Sequence, residues 1–292
     1  MSAFASKGFN ANAYLALRPT YNKSLLNWLL YYHRGQCTTA LDVACGPGTF
    51  TTDLAQKFDR VVGIDPSSSM VESATEDAHA RNIKNVEYML GSGEKIPVES
   101  NYADMFTVMQ GAHWFRISEF YNEAIRVLRP GGTLAMIGYG YPEITNLPAS
   151  ANGRDFARNL ATDKSLLETY WDRGYTLIDD KYAPLLDALC KDGRFSDITY
   201  VEYPRSINDT AAAAVFPEPW IDSKTMSLDD FRSYLKTWSA YKAWKDVFPV
   251  EVDIIDSYFN EYQRTHSLQG NVLVTVEWPH FAIIARKALP GK

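Results

Sequence analysis

The residues best suited to chemistry gather first between positions 41 and 65. Leu41-Asp42-Val43-Ala44-Cys45-Gly46-Pro47-Gly48-Thr49 is an apolar run that breaks on two glycines just ahead of a stretch able to form a helix. Gly46 and Gly48 lack a Cβ, so the chain can turn tightly there and a bound molecule can approach backbone that a larger side chain would shield. A second apolar run, Val61-Val62-Gly63-Ile64-Asp65, ends in an acid 19 residues after Gly46. That separation is close to the roughly 20 residues at which a carboxylate grips ribose hydroxyls beyond a glycine turn. Asp42, inside the first run, places a negative charge where a cationic amino group could pair with it. A dinucleotide fingerprint would need a third glycine, and its position holds Thr51. A nicotinamide-linked oxidoreductase is therefore the alternative reading of the turn.

A third apolar run, Met105–Gln110, is followed by Gly111-Ala112-His113-Trp114. In an open α/β sheet ligands collect beyond the carboxyl ends of the strands, so these residues are expected to face a substrate. His113 could orient an acceptor oxygen, donate to a carboxylate or act as a general base. Gln110 is expected to touch the cofactor or the acceptor, and Trp114 to wall the pocket.

The elements that must position these groups follow from periodicity. The first half alternates short apolar runs with amphipathic stretches, the rhythm of strand–helix units in a mainly parallel sheet. Strands are predicted at Thr39–Ala44, Val61–Asp65, Val86–Leu90, Met105–Gln110 and Gly132–Tyr139, with helices over Ser67–Asn82 and Ile117–Leu128. Arg129-Pro130-Gly131-Gly132 stops the second helix and turns the chain into the next strand. Later strands are predicted at Ile198–Tyr203, Val272–Glu277 and Phe281–Arg286, and helices over Leu228–Trp244 and Val252–Arg264. The expected fold is a doubly wound, Rossmann-like α/β sheet in a single domain, residues 1–292, with helical cap elements near 1–35, 140–192 and 207–266. On this plan the second half completes the sheet and supplies the cap.

Composition narrows the function. The net charge is −6 over 292 residues, which disfavours the basic footprint that neutralises nucleic-acid phosphates. Cys37, Cys45 and Cys190 are far apart and show no metal-ligand or disulfide spacing, so no metal is expected. The N-terminus lacks a secretory core and no stretch reaches the roughly 18 apolar residues of a spanning helix. A cytoplasmic protein acting on a small molecule, away from nucleic acid and membrane, is the expectation.

Asp42-Val43-Ala44-Cys45-Gly46-Pro47-Gly48-Thr49 resembles the first motif of class I methyltransferases, and Asp65 is similar to that family's ribose-binding acid. The resemblance implies S-adenosylmethionine as cofactor, with Asp42 meeting its amino group and Ala44, Gly46 and Gly48 forming its seat. In the family the loop after the third strand commonly carries an Asp beside the adenine; here the corresponding position is Ser92. Features outside this half, namely Phe9-Asn10, Tyr14, Arg18-Pro19-x-Tyr21, Ala112-His113-Trp114-Phe115 and Thr237-Trp238-Ser239-Ala240-Tyr241-x-x-Trp244, resemble the fungal trans-aconitate methyltransferase family. That resemblance implies methyl transfer to a small-molecule carboxylate, with Tyr14 and Arg18 folding toward the methionine carboxylate. His113 would be the catalytic residue, and Trp114, Trp238 and Tyr241 would contact the acceptor. Arg173, Arg205 and Lys242 are further possible anion partners. A silent S-adenosylmethionine-binding protein stays open beside the enzyme.

Overall fold

The computed structural model describes residues 18–172, 174–204, 219–268 and 272–289. Among these residues ten strands run in order, β1 Thr39–Val43, β2 Arg60–Asp65, β3 Val86–Leu90, β4 Ala103–Met109, β5 Leu128–Tyr139, β6 Glu143–Ile144, β7 Phe195–Tyr203, β8 Lys224–Ser227, β9 Leu273–Glu277 and β10 His280–Lys287. The described residues fall into two compact units.

The larger unit lies within Tyr21–Tyr139, Thr176–Trp220 and His280–Lys292. Its seven-stranded sheet has the order β3-β2-β1-β4-β5-β10-β7. The first five strands in that order are parallel, and β10 runs antiparallel between β5 and β7. Side-chain alternation along each strand explains the two cores. Leu41, Val43, Val62, Ile64, Phe106, Val108, Leu134, Met136, Ile283 and Ala285 share one apolar cluster. Their neighbours Ala40, Val61, Met105, Met109, Ala135, Ile137, Ala282 and Ile284 share the other. Strands buried on both faces read as continuous apolar runs, and helices must cover each face. Helix Ile117–Val127 brings Phe120, Tyr121, Ala124 and Val127 to the first cluster, and helix Lys23–His33 brings Leu25, Leu26, Trp28 and Leu29 to the second. The fold is thus the doubly wound α/β sheet. Arg129-Pro130-Gly131-Gly132, expected as a turn ahead of the strand, lie within β5 at an irregularity in its pairing with β4, with Gly131 at φ 78°.

The smaller unit lies within Met1–Thr20, Gly140–Tyr175 and Ile221–Pro279. Three short antiparallel strands, in the order β6-β9-β8, accompany helices Phe156–Thr162, Leu228–Leu235, Ser239–Val247 and Ile254–Thr265. Phe156 anchors the interior, with Tyr258, Phe259 and Tyr262 at ring separations of 4.8, 4.8 and 4.4 Å.

Two expectations change here. The predicted strand Val272–Glu277 forms as β9, but it pairs with β6 and β8 instead of completing the main sheet; β10 and β7 do that. The single helix expected over Leu228–Trp244 is broken. Thr237 Oγ1 donates to the Tyr234 carbonyl at 2.6 Å, drawing that acceptor to a side chain, and Trp238 is extended at ψ 143° as it opens the next helix. The later helix starts cleanly at Ile254 because the Asp253 carboxylate accepts from the Ile255 and Asp256 N–H groups. No helix among the described residues is long and apolar enough to cross a membrane.

Candidate functional site

The order of the main sheet reverses direction between β1 and β4, and the helices that follow these strands pack on opposite faces, the place where sheets of this kind bind ligands. Alternation puts Asp42 on the same face of β1 as Ala40, and Thr107 on the same face of β4 as Met105 and Met109. Asp42 is 1% exposed; one carboxylate oxygen accepts from Thr51 Oγ1 at 2.6 Å and the other from Thr107 Oγ1 at 2.8 Å. The residue in the place of a third fingerprint glycine thus supplies a hydroxyl that ties the glycine turn's helix to β1. Burial pushes the Asp42 carboxyl up to about 6, against the two hydroxyl donors that favour its charge.

Beyond Val43 the chain enters the left-handed region at Ala44 (φ 54°), Gly46 (φ 54°) and Gly48 (φ 81°), a path that L side chains adopt at a cost. Cys45 N–H still donates to the Ile64 carbonyl at 3.1 Å, holding the loop against β2. Asp65, at the end of β2 and 8% exposed, fixes the turn from the other side. Its Oδ2 accepts from Gly46 N–H and its Oδ1 from Ser67 N–H, both at 2.9 Å. Burial raises the Asp65 carboxyl, opposed by these two N–H donors.

The glycines have different reasons to be glycine. A Cβ on Gly46 would meet no atom within 4 Å, so this position borders open space beside the Asp65 carboxylate. On Gly63 it would stand 2.5 Å from the Tyr88 ring, which lies across β2 and reaches Gly48. On Gly111 it would stand 2.6 Å from the Ala44 Cβ, so the loops after β1 and β4 touch only because residue 111 has no side chain.

Gly111 leads into a short 3-10 turn, Ala112–Trp114, that carries His113 half-buried. The His113 ring lies 4.9 Å from that of Trp114, and Nδ1 is 3.2 Å from the Tyr182 hydroxyl. Gln110, expected at the cofactor, has both ends of its amide on one backbone unit. Its Oε1 accepts from Tyr139 N–H at 2.6 Å and its Nε2 donates to the Tyr139 carbonyl at 3.0 Å, joining the ends of β4 and β5. Ser92 follows β3, its backbone paired with Lys95.

The structure therefore brings Asp42, Ala44, Gly46, Gly48, Asp65, Ser92, Gln110, His113 and Trp114 into the larger unit, on segments at or following the carboxyl ends of β1 to β4. Arg18, Trp238 and Tyr241 belong to the smaller unit. There Arg18 Nη2 donates to the Thr237 carbonyl at 3.4 Å and the guanidinium lies 5.5 Å from the Tyr234 ring centre. Trp238 is 5% exposed, ringed by Tyr141, Trp171 and Tyr234. Tyr241 stacks on Trp244, and its hydroxyl donates to Asp253. Tyr14, Arg173 and Arg205 lie outside the described residues.

Sequence reading missed Thr51 and Thr107 as partners of Asp42, Gly111 as the contact between loops, Tyr88 as the cover of Gly63, and Tyr182. A glycine directly after a strand was a usable signal for Gly111. Nothing near Tyr182 points to position 113.

These features fit an adenosine-bearing cofactor: the seat at Gly46 is open and an acid stands at the end of the second strand. Residues 41–136 match the methyltransferase domain family. The chain is 30% identical to a Dictyostelium discoideum protein named as a methyltransferase, over 96% of this chain and 94% of that one. It is 27% identical to a Saccharomyces cerevisiae protein named as an S-adenosylmethionine-dependent methyltransferase, over 98% of each. Among solved structures, one named as a type II methyltransferase of Anaeromyxobacter dehalogenans shares the fold with a TM-score of 0.66 at 22% identity, covering 93% of this chain and 99% of that one. The chain belongs to the class I S-adenosylmethionine-dependent methyltransferases.

Proposed function

We propose that this protein methylates a carboxylate oxygen of a small molecule resembling trans-aconitate. The observation that carries the reading is the place of His113, two residues beyond a glycine that packs directly on the cofactor turn. S-adenosylmethionine, the cofactor, supplies an electrophilic methyl group on sulfur. What remains for the chain is to hold the two partners in line and keep water out. Gly46 leaves room for the cofactor, and Asp65 takes its ribose. His113 holds an acceptor oxygen by a hydrogen bond, and Trp114 walls the pocket beside it. A carboxylate is already ionised near neutral pH, so no proton has to be removed before transfer.

The test is incubation with methyl-labelled S-adenosylmethionine and a panel of carboxylic acids, phenols and thiols, with products identified by mass spectrometry. Methyl esters are expected. His113→Ala is expected to lower turnover at least tenfold, the scale of one lost charge-assisted hydrogen bond or more, with cofactor affinity unchanged, and His113→Gln to recover part of it. Labelled phenol or thiol ethers without esters would overturn the carboxylate assignment, and normal turnover by His113→Ala would remove His113 from the site.

A further inference from the structure

We infer that Tyr182 sets the tautomer of His113: its hydroxyl donates to Nδ1, leaves the imidazole proton on Nε2, and makes this histidine a hydrogen-bond donor instead of a base. The inference rests on the reading of His113 as acceptor-facing and gives that residue a defined chemistry.

The Tyr182 side chain is fully buried, and a buried hydroxyl that donates to nothing is costly. Its oxygen lies 3.2 Å from His113 Nδ1. The polar groups beside it include the backbone N–H groups of Ala112 and His113, which can only donate. As donors they favour the oxygen as an acceptor and cannot take its proton. Burial also raises the phenol well above its ordinary range, so it stays protonated. Nδ1 is the acceptor that the geometry places within hydrogen-bond reach of it. A neutral imidazole that accepts at Nδ1 carries its proton on Nε2.

The chain goes to some expense to place this hydroxyl. Lys181 and Tyr182 are consecutive left-handed residues, at φ 49° and 64°, just ahead of helix Ala183–Asp192. Such conformations cost on the order of 1–3 kcal/mol each and persist where the surroundings impose them. The Tyr182 ring is clamped edge-on by Phe281, with centroids 4.9 Å apart, and a Cβ on Gly138 would come within 3.1 Å of it. Packing accounts for an aromatic ring at 182, and phenylalanine would supply one. Among the described residues, the contact with the His113 ring gives the hydroxyl its side-chain partner.

An Nε2–H group can hold an anionic oxygen in either charge state of the ring. An alcohol or phenol acceptor would need a ring nitrogen able to take its proton, and in the neutral tautomer set by Tyr182 Nδ1 is engaged and Nε2 is filled. The arrangement therefore selects acceptors that arrive already ionised, which near neutral pH means carboxylates.

The experiment is a long-range proton–nitrogen correlation spectrum of the full chain labelled with ¹⁵N-histidine, recorded above the histidine titration without cofactor. The chain has five histidines, and His113 is identified by the signals lost in His113→Gln. A pyrrole-type Nε2 and a pyridine-type Nδ1 are expected, moving toward the averaged positions of two exchanging tautomers in Tyr182→Phe. With a carboxylic acid acceptor, Tyr182→Phe should lower kcat about tenfold, the weight of one such hydrogen bond, with cofactor Kd unchanged. In the His113→Gln background the same change should have no further effect. An Nδ1–H ring in the wild-type protein would overturn the inference, and that spectrum decides even if the variant folds poorly. A ring unmoved by Tyr182→Phe would overturn it as well. The expected spectra combined with normal turnover in both single variants would uphold the tautomer and remove His113 from the acceptor site.

Discussion

Replacing Gly46 by alanine separates two reasons for glycine that usually come together. Gly46 has φ 54° and Gly193, which ends helix Ala183–Asp192, has φ 70°; a Cβ on either would meet no atom within 4 Å. Backbone strain is thus the only penalty alanine brings to the unliganded protein at both positions. A left-handed L-residue costs roughly 1–2 kcal/mol, offset by about 0.4–1 kcal/mol from the stiffer unfolded chain. Gly46→Ala and Gly193→Ala should each lose about 1 kcal/mol in urea unfolding. Their cofactor affinities should diverge. The methyl of Gly46→Ala projects into the open space beside Asp65, so Kd for S-adenosylmethionine by titration calorimetry should rise at least about tenfold, or 1.4 kcal/mol. Gly193→Ala should bind as the wild type does. Wild-type affinity in Gly46→Ala, or equal weakening in both variants, would refute the placement of the cofactor on this turn.

Asp65→Asn keeps the size and one acceptor of the side chain but removes its charge. Calorimetry should show cofactor binding weakened by about 1–3 kcal/mol, the scale for hydrogen bonds to a charged group, and unchanged affinity would mean that Asp65 does not hold the ribose. The Asp42 carboxyl stands at about 6 in the folded chain against an ordinary value of 3.8, so the native state holds an extra proton between about pH 4 and 6. The contribution of this carboxyl to stability is therefore fully present below that window and is lost as pH rises through it, a fall of up to roughly 3 kcal/mol. Asp42→Asn removes that fall while still able to accept from one threonine hydroxyl and donate to the other. Urea unfolding at pH 4.5 and pH 8 should show the variant gaining on the wild type with rising pH, and a difference constant across pH would refute the account.

The two-faced alternation of apolar residues, the glycines of the first turn and the acid at Asp65 were legible because each is a local property of a few neighbouring residues. They were enough to specify a doubly wound α/β fold and to single out the turn proposed to seat the cofactor. Its position just after a predicted strand singled out His113, but not what holds it. Local periodicity likewise found β9 as a strand without revealing which sheet it joins, since an apolar alternation fits any edge with a matching face. The helix over Leu228–Trp244 had the right period, and a hydroxyl competing for the Tyr234 carbonyl broke it. Partnerships across the chain were beyond reach for the same reason. Thr107 meets Asp42 over 65 residues and Tyr182 meets His113 over 69. Strand order and the path into a distant helix decide such pairings, and neither is written in the residues on either side of the pair.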